Sequence, residues 1–278
     1  MKVMGEDHTE SVVDQDFWVR NHGLPEPKSL PVAVSDTGSV FEAGIAHTLL
    51  IGATGSGKGS VIWAFIRQLL PAKDRGLATF AGIDPKRSEL KGCESLFDTG
   101  LAFTPEETAE LLERIVAEMR HRQETGGRHF QVSTAMPWLF VVIDEFAGMA
   151  SSPDRKTNTR INDAFFAIMT QGRSVGIAVL AAAQMPQKEF IGSLRSQFVM
   201  RICLRTETSL ETSMVLGEGN AELAAAHSLP AATASNNYAT AGIGWAIHET
   251  EGLVKVRFPY TSDDDIEAIL QEASRGIQ

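Results

Sequence analysis

The sequence predicts an α/β fold, a doubly wound and mainly parallel sheet with helices on both faces. Short runs of consecutive apolar residues alternate along the chain with longer segments whose apolar residues recur at helical spacing. Strands that are apolar throughout are typical of parallel sheets, which are buried on both faces. Because strands and helices alternate instead of forming separate groups, most neighbouring strands are expected to run in the same direction.

The first predicted elements are a hairpin, a strand and a helix. Strand-like runs at 30–35 and 39–42 flank a polar turn, which favours an antiparallel hairpin. An apolar run at 48–51 enters a glycine-rich turn, and the segment 61–70 beyond it carries apolar residues at helical spacing. Pro71 is predicted to end this helix because proline has no amide hydrogen to donate.

The same alternation continues to the end of the chain. Thr104 followed by Glu107 is a capping-box pattern that opens a helix, whereas the polar segments 125–135 and 151–159 are expected to be loops. The predicted helices are 104–123, 161–172 and one from about 263. The predicted strands are 77–83, 138–143, 176–184, 197–204, 242–248 and 253–258, the last two at the later edge of the sheet.

Length and composition favour one large domain. A chain of 278 residues, 43% of them hydrophobic, can bury a sizeable core. We predict a polar N-terminal arm at 1–29 and an α/β domain at 30–278. Residues 1–29 are polar, contain acidic runs and are interrupted by Pro25-Glu26-Pro27. Cys93 and Cys203 are far apart and lack metal-ligand spacing, so reduced, buried thiols are expected.

Hydropathy and charge restrict the function further. No apolar run approaches the roughly 18–20 residues of a membrane span, so we expect a cytoplasmic protein, which a partner protein could recruit to a membrane. The formal net charge is −10, from 25 basic and 35 acidic residues, which argues against nucleic-acid binding over the whole surface. The charge still allows a motor in which a few basic loops line a pore.

The glycine-rich turn has the spacing of a phosphate-binding loop. Its glycines leave room for backbone N–H groups to close around an anion, and the helix that follows adds the positive end of its dipole. Lys58 would reach the β- and γ-phosphates of a nucleotide such as ATP. A flexible glycine turn without a ligand is the alternative. The predicted nucleotide-binding residues are Gly52, Ala53, Thr54, Gly55, Ser56, Gly57, Lys58, Gly59 and Ser60.

The loop departs from the usual pattern at one position. The pattern has a serine or threonine after the lysine, whose hydroxyl binds Mg²⁺, but this chain has Gly59 there and Ser60 one residue later. We therefore expect Mg²⁺ to be held by phosphate oxygens, by waters oriented from Asp144, or by Ser60 shifted into reach. On the sequence alone, a Gly59→Ser variant is predicted to bind Mg·ATP as well as the parent or better.

Polar residues follow two of the predicted buried strands. Asp144 and Glu145 end the strand at 138–143, where ligands bind in open α/β sheets. Asp144 is placed to hold the water shell of Mg²⁺, and Glu145 to orient and deprotonate an attacking water. The alternative is a solvated Asp-Glu pair. Gln184 ends the next strand and would either cap the local backbone or sense the γ-phosphate.

Arg173 lies eleven residues before Gln184, on a glycine-flanked turn between a helix and a strand. Two interpretations are open from the residues alone. It is either an ordinary surface arginine or a finger offered to the nucleotide of a neighbouring subunit.

The motifs together resemble the motor domain of the FtsK/SpoIIIE family of DNA-pumping ATPases, over about residues 30–269. The segments that carry the resemblance are Gly-Ala-Thr-Gly-Ser-Gly-Lys58, Ile-Asp-Pro-Lys86, Val-Val-Ile-Asp144-Glu-Phe-Ala and Ala-Gln184-Met-Pro. The resemblance implies a RecA-like fold and a homo-oligomeric ring, usually a hexamer, with ATP between subunits and double-stranded DNA threaded through its centre. In related conjugative coupling ATPases, the arginine eleven positions before the sensor glutamine acts in trans, a spacing that Arg173 matches.

The chain departs from the family pattern in ways that refine this expectation. Besides Gly59, Ser213 stands where the family commonly has an arginine in the helix after the strand that contains Arg201. Membrane segments and a C-terminal winged-helix module are not found in this sequence. It therefore resembles the short conjugative-transfer members of actinomycete elements, with membrane-associated proteins as further partners.

Two functions from different classes remain, and basic residues bear on the choice. The first is a translocase of double-stranded DNA; the second is a secretion-type motor of the same family, which usually carries several such modules in tandem and engages proteins. In a ring of the kind the resemblance implies, the two loops after the nucleotide-contacting strands face the pore. Their basic residues are either DNA-binding or ordinary solvated surface, and they are Arg155, Lys156, Arg160, Lys188 and Arg195.

Overall fold

The computed structural model describes residues 7, 9, 30–187, 194–248 and 252–275. The strands are β1 (Leu30–Ser35), β2 (Val40–Ala43), β3 (Thr48–Ile51), β4 (Ala78–Ile83), β5 (Gly100–Ala102), β6 (Trp138–Ile143), β7 (Ile177–Ala183), β8 (Met200–Leu204), β9 (Ile243–His248) and β10 (Gly252–Arg257). The helices include α1 (Lys58–Lys73), α2 (Pro105–Thr125), α3 (Arg155–Gln171), α4 (Ser209–Leu216), α5 (Glu218–Ala224) and α6 (Asp263–Arg275).

The strands form one ten-stranded sheet in the order β2-β1-β10-β9-β8-β3-β7-β6-β4-β5. The six strands from β8 to β5 run parallel, and β9, β10, β1 and β2 add to them antiparallel. The predicted doubly wound, mainly parallel sheet is therefore confirmed. Strand β7 lies between β3 and β6 and runs parallel to both, so the carboxyl ends of these three strands lie side by side at one edge of the sheet.

Helices cover both faces of the sheet. Helix α1 buries Trp63 and Phe65 on one face, where residues of α6 join the same apolar cluster. Helices α2 and α3 pack on the opposite face in a second cluster. Both free cysteines are buried as predicted, and burial raises the pKa of Cys93 to about 11 and that of Cys203 to about 12.

Helix α1 continues past Pro71 to Lys73, so the prediction that Pro71 ends it was wrong. Proline removes the hydrogen bond to the carbonyl four residues earlier and crowds that carbonyl, and here both effects fall in the last turn of the helix. The end of the helix is closed by other amides instead. Asp74 N donates to the Leu70 carbonyl at 2.9 Å and Leu77 N donates to the Ala72 carbonyl at 2.8 Å.

The start of α2 was predicted correctly and the start of α3 was not. The Thr104 and Glu107 side chains form the expected capping box at the start of α2. Helix α3 begins at Arg155, six residues before the predicted start, because the Asp154 carboxylate accepts from Lys156 N and Thr157 N. Most of the polar segment after position 154 is thus helix rather than loop.

The N-terminal arm at 1–29 lies outside the described residues except for Asp7 and Thr9. The Asp7 carboxylate forms an ion pair with Lys255 of β10. The Arg257 guanidinium donates to the Thr9 carbonyl at 2.9 Å. Both residues therefore contact the antiparallel part of the sheet. Within the described ranges, no helix combines the length and apolarity needed to cross a bilayer.

Candidate nucleotide site

The glycine-rich loop joins β3 to α1 in the manner predicted. Gly55 and Gly57 have φ values of 75° and 98°, a region in which other residues are strained. A hydrogen bond to the segment before β9 stabilises the loop, because Gly242 N donates to the Ser56 carbonyl at 2.8 Å. The Lys58 ammonium donates to the Gly52 carbonyl at 2.7 Å, and burial lowers the pKa of Lys58. A cation and a helix start thus converge on the loop.

Asp144 and Glu145 follow β6 at the same edge of the sheet. The Ser88 hydroxyl donates to Asp144 at 3.2 Å, while burial and the nearby Asp84 carboxylate raise the pKa of Asp144. Glu145 has left-handed backbone angles (φ 63°, ψ 61°), a conformation that costs a non-glycine residue about 1–3 kcal/mol and is often found at functional sites.

The Glu145 side chain is held by two neighbours. Lys86, from the Asp-Pro-Lys segment after β4, forms a 2.8 Å ion pair with Glu145 Oε2. Gln184 N, at the end of β7, lies 3.4 Å from Glu145 Oε1 as a long hydrogen bond. The carboxylate is therefore fixed between the ends of β4 and β7, beside the glycine loop.

Two further carboxylates, Asp84 and Glu89, complete the cluster, and sequence reasoning assigned no role to either. The amides of Glu89 and Leu90 donate to Asp84 Oδ2 at 3.1 and 3.0 Å. The Trp63 indole donates to Glu89 Oε1 at 2.7 Å. Burial first, and the Asp144 charge second, raise the pKa of Glu89 to about 7. The Asp-Pro-Lys motif pointed to this turn, but a lone glutamate five residues after Asp84 carries no signal of its own.

A cavity of about 720 Å³ opens between the glycine loop and the last strands. This volume is within the range of small-molecule sites. Its far wall is built from the segments around β10 and before β9, which carried no recognisable motif. The wall includes Asn237 and Tyr238, both at positive φ, together with Arg257, Tyr260 and Thr261.

The fold brings most of the predicted nucleotide and catalytic residues together. Gly52, Ala53 and Ser56 are buried in the body of the loop. The residues that line the cavity are Thr54, Gly55, Gly57, Lys58, Gly59, Ser60, Asp144, Glu145 and Gln184. The Ser60 hydroxyl accepts a 3.3 Å hydrogen bond from Thr261 N, so it is engaged with the far wall.

Arg173 lies away from this cavity. It belongs to the turn Gly172–Val175 before β7, whereas Gln184 follows the other end of that strand. Seven residues of strand at about 3.3 Å each separate these ends by roughly 20 Å. Arg173 therefore does not reach the phosphate loop of its own chain. It lies near the buried His47, whose pKa is lowered to about 4 by burial and then by the Arg173 charge.

The predicted DNA-contacting residues are not all on loops. Arg155, Lys156 and Arg160 lie in the first turns of α3, which corrects their predicted placement on a loop. Arg160 forms two 2.7 Å hydrogen bonds with the Glu113 carboxylate of α2, while Arg155 and Lys156 are exposed. Arg195 lies in a short turn before β8, and its Nε is buried without a partner among the described residues. Lys188 lies outside the described residues.

The residues present fit a nucleotide with a divalent cation. Two buried acceptors, Ser56 Oγ and Asp84 Oδ1, have no hydrogen-bond partner in the described part of the chain. The described residues contain no group of three metal-ligating side chains arranged around one point, so protein atoms alone do not enclose a cation. Mg²⁺ commonly keeps waters and phosphate oxygens and takes only one or two carboxylates from protein. Asp144 and its neighbouring carboxylates match that requirement.

The fold and this site define a P-loop ATPase domain with a RecA-like α/β fold. Residues 25–132 match the model of the FtsK/SpoIIIE family. The chain is similar to this family over that segment, and curated relatives match it beyond the segment.

Two of these relatives are named DNA translocase FtsK. The protein from Chlorobaculum tepidum is 29% identical over 226 residues, which cover 73% of this chain and 28% of the relative. The protein from Streptomyces coelicolor is 26% identical over 206 residues, covering 65% of this chain and 22% of the relative. The chain thus spans less than a third of the length of either relative.

Solved structures share the fold. The cytoplasmic domain of the type VII secretion ATPase EccC from Thermomonospora curvata superposes with a TM-score of 0.70 at 24% identity, covering 96% of this chain and 33% of the other. The pCW3 conjugation coupling protein TcpA, in a monomer form with ATPγS, has a TM-score of 0.70 at 20% identity, covering 94% of this chain and 73% of the other. At these identities the likeness supports the fold alone.

Proposed function

We propose that the chain hydrolyses ATP and uses the energy to translocate double-stranded DNA. The observation that carries the proposal is the convergence of Lys58, Asp144 and Glu145 on one cavity of nucleotide size. Enzymes catalyse phosphoryl transfer mainly by positioning the reactants and stabilising charge in the transition state, and these three residues supply both. The family relatives named as DNA translocases support DNA as the substrate.

Each residue in the cavity has a role that follows from its position. Lys58 neutralises charge that accumulates on the transferred phosphoryl group. Glu145 accepts the proton of the attacking water, and its ion pair with Lys86 holds the carboxylate in place. Gln184 adjoins Glu145 through its backbone and can transmit the state of the phosphates to the segment after β7. Mg²⁺, when bound, would neutralise phosphate charge and orient the phosphates.

We propose a homo-oligomeric ring, with the hexamer as the first candidate, in which Arg173 serves the neighbouring subunit. Its distance from the phosphate loop of its own chain supports a role in trans. Conjugative or integrative-element transfer is the proposed setting, and TcpA supports it as a structural neighbour of that kind. A cytoplasmic location with recruitment by a membrane-associated partner is part of the same proposal.

A protein substrate is the second candidate function. EccC, a type VII secretion ATPase, superposes on the chain as well as TcpA does. The two functions predict different activators, duplex DNA in one case and a protein partner in the other. Stimulation of ATP turnover therefore distinguishes them.

We expect Arg155→Ala combined with Lys156→Ala to weaken duplex binding and abolish DNA-stimulated ATPase while basal ATPase survives. The two side chains are exposed at the start of α3, near the catalytic edge of the sheet. Each lost phosphate contact removes about 0.9 units from the slope of log K against log salt, without changing sequence preference. Binding measured from low to moderate salt, with the ATPase rate, checks both effects.

The matched control removes the same charge at the opposite edge. Arg120 and Arg128 are exposed near the end of α2, so Arg120→Ala with Arg128→Ala should leave the salt slope and the stimulation unchanged. If the Arg155 and Lys156 variant also kept its parent slope and stimulation, the start of α3 would not contact DNA. The protein-substrate function would then gain support.

A further inference from the structure

The carboxylate of Glu89 lies against Gly59, the residue that stands where phosphate-binding loops usually have a hydroxyl. A Cβ atom built on Gly59 would lie 2.6 Å from both Glu89 carboxylate oxygens, closer than such contacts occur. A serine at position 59 and the present Glu89 conformer are therefore mutually exclusive. The position of the missing side chain is occupied by an oxygen-bearing group from another segment.

Helix α1 itself holds Glu89 in this place. Trp63 is four residues after Gly59, so both residues lie on the same face of α1. Trp63 is only 1% exposed, and its indole N–H donates to Glu89 Oε1 at 2.7 Å. Glu89 Oε2 accepts no hydrogen bond from the described residues, and Glu89 lines the same cavity as Lys58. One oxygen is thus fixed, and the other is free for a ligand.

The charges around the cavity favour a cation between this carboxylate and a nucleotide. On the side of the glycine loop, four carboxylates, those of Asp84, Glu89, Asp144 and Glu145, accompany Lys58, and Lys86 is already paired with Glu145. The far wall adds one charge of each sign, Arg257 and Asp263. A nucleoside triphosphate is itself a polyanion, so its approach to these carboxylates is repulsive without a divalent cation. Asp84 is fully buried and its Oδ1 has no described partner.

We propose that Glu89 takes the place of the missing loop hydroxyl in the coordination shell of the nucleotide-bound Mg²⁺. The proposal rests on ATP binding in this cavity, as proposed above. The Ser60 hydroxyl, the nearest alternative along the loop, is engaged with Thr261 N of the far wall. The contact with Glu89 also changes the expectation for Gly59→Ser, which in the parent chain should bind Mg-nucleotide no better and instead somewhat more weakly.

The test is a double-mutant cycle between positions 59 and 89. Glu89→Gln keeps the shape of the side chain and an acceptor for Trp63, but it removes the charge. It should weaken Mg²⁺-dependent binding of ATPγS by about tenfold or more, as the loss of a group in a metal's immediate surroundings usually does. Glu89→Ala should weaken binding at least as much, and Gly59→Ser added to Glu89→Ala should restore most of this affinity, because alanine leaves the space that a side chain at position 59 needs.

Two readouts that do not depend on turnover separate the outcomes. Affinity for fluorescent ATPγS in excess EDTA should not fall in Glu89→Gln and should rise somewhat, because one repelling charge is removed, whereas the Mn²⁺ spin-resonance spectrum with ATPγS should change in Glu89→Gln. Unchanged Mg²⁺ dependence and an unchanged spectrum in Glu89→Gln would overturn the proposal, as would a Gly59→Ser and Glu89→Ala double variant that binds as weakly as Glu89→Ala. Absence of nucleotide binding in the parent would instead refute the proposed ATPase function.

Discussion

Glu145→Gln is expected to lower ATP turnover by about 10²–10⁴-fold, the contribution of a general base, while Mg·ATP stays bound with nearly parent affinity. Glutamine has the same shape and can still contact Lys86 and the Gln184 amide, so the site keeps its geometry. It cannot accept the proton of the attacking water. The variant should therefore accumulate in the ATP-bound state, and stable complexes with ATP should be trapped.

Single-turnover hydrolysis and nucleotide binding measured on the same sample check this result. Lys58→Ala is the contrasting variant, since it removes the cation of the phosphate loop and should lose binding as well as turnover. Lys86→Met tests the ion pair separately, because it releases Glu145 without removing the base. Parent-level turnover by Glu145→Gln would remove Glu145 from the role of base.

Arg173→Ala is expected to leave nucleotide affinity of the single chain unchanged and to lower turnover of the assembled protein by about 10³–10⁵-fold. The magnitude is that of an arginine finger, which stabilises the charge of the transition state. The separation of roughly 20 Å across β7 rules out direct contact with the phosphates of the same chain, so a direct effect on turnover would come from a neighbouring subunit. Binding to the isolated chain and turnover at assembling concentrations are the two measurements.

Mixing two inactive variants tests the arrangement in trans. A subunit with Lys58→Ala still offers Arg173, and a subunit with Arg173→Ala still offers an intact phosphate loop. Interfaces between the two should recover part of the activity, rising with the fraction of mixed interfaces. If activity did not recover at any mixing ratio, the arrangement in trans would be contradicted. Loss of ATP affinity in the isolated Arg173→Ala chain would place Arg173 in a structural role instead.

The sequence was informative wherever function depends on residues close together in the chain. The glycine loop, the Asp-Glu pair after β6 and the capping box of α2 are local patterns, and each was predicted at its position. The parallel sheet followed from its fully apolar strands. Strand β5 was missed because it has three residues and is only partly buried, so it carries no periodic signal.

Features that depend on contacts between distant segments could not be predicted. The role of Glu89 follows from its position against Gly59 and Trp63 of a different element. The far wall of the cavity comes from residues more than 170 positions after the glycine loop. Arg160 was expected to be free for DNA, but its contact with Glu113 depends on how α2 and α3 pack.

The central claim is that ATP hydrolysis in this cavity is coupled to duplex DNA, and one steady-state measurement tests it most directly. ATP turnover is measured with increasing linear duplex DNA, at low and moderate salt, for the parent and for Glu145→Gln. We predict that DNA raises the parent rate, that added salt weakens this stimulation, and that Glu145→Gln stays inactive throughout. A parent that hydrolyses ATP at a rate that duplex DNA leaves unchanged at every salt concentration would contradict the claim.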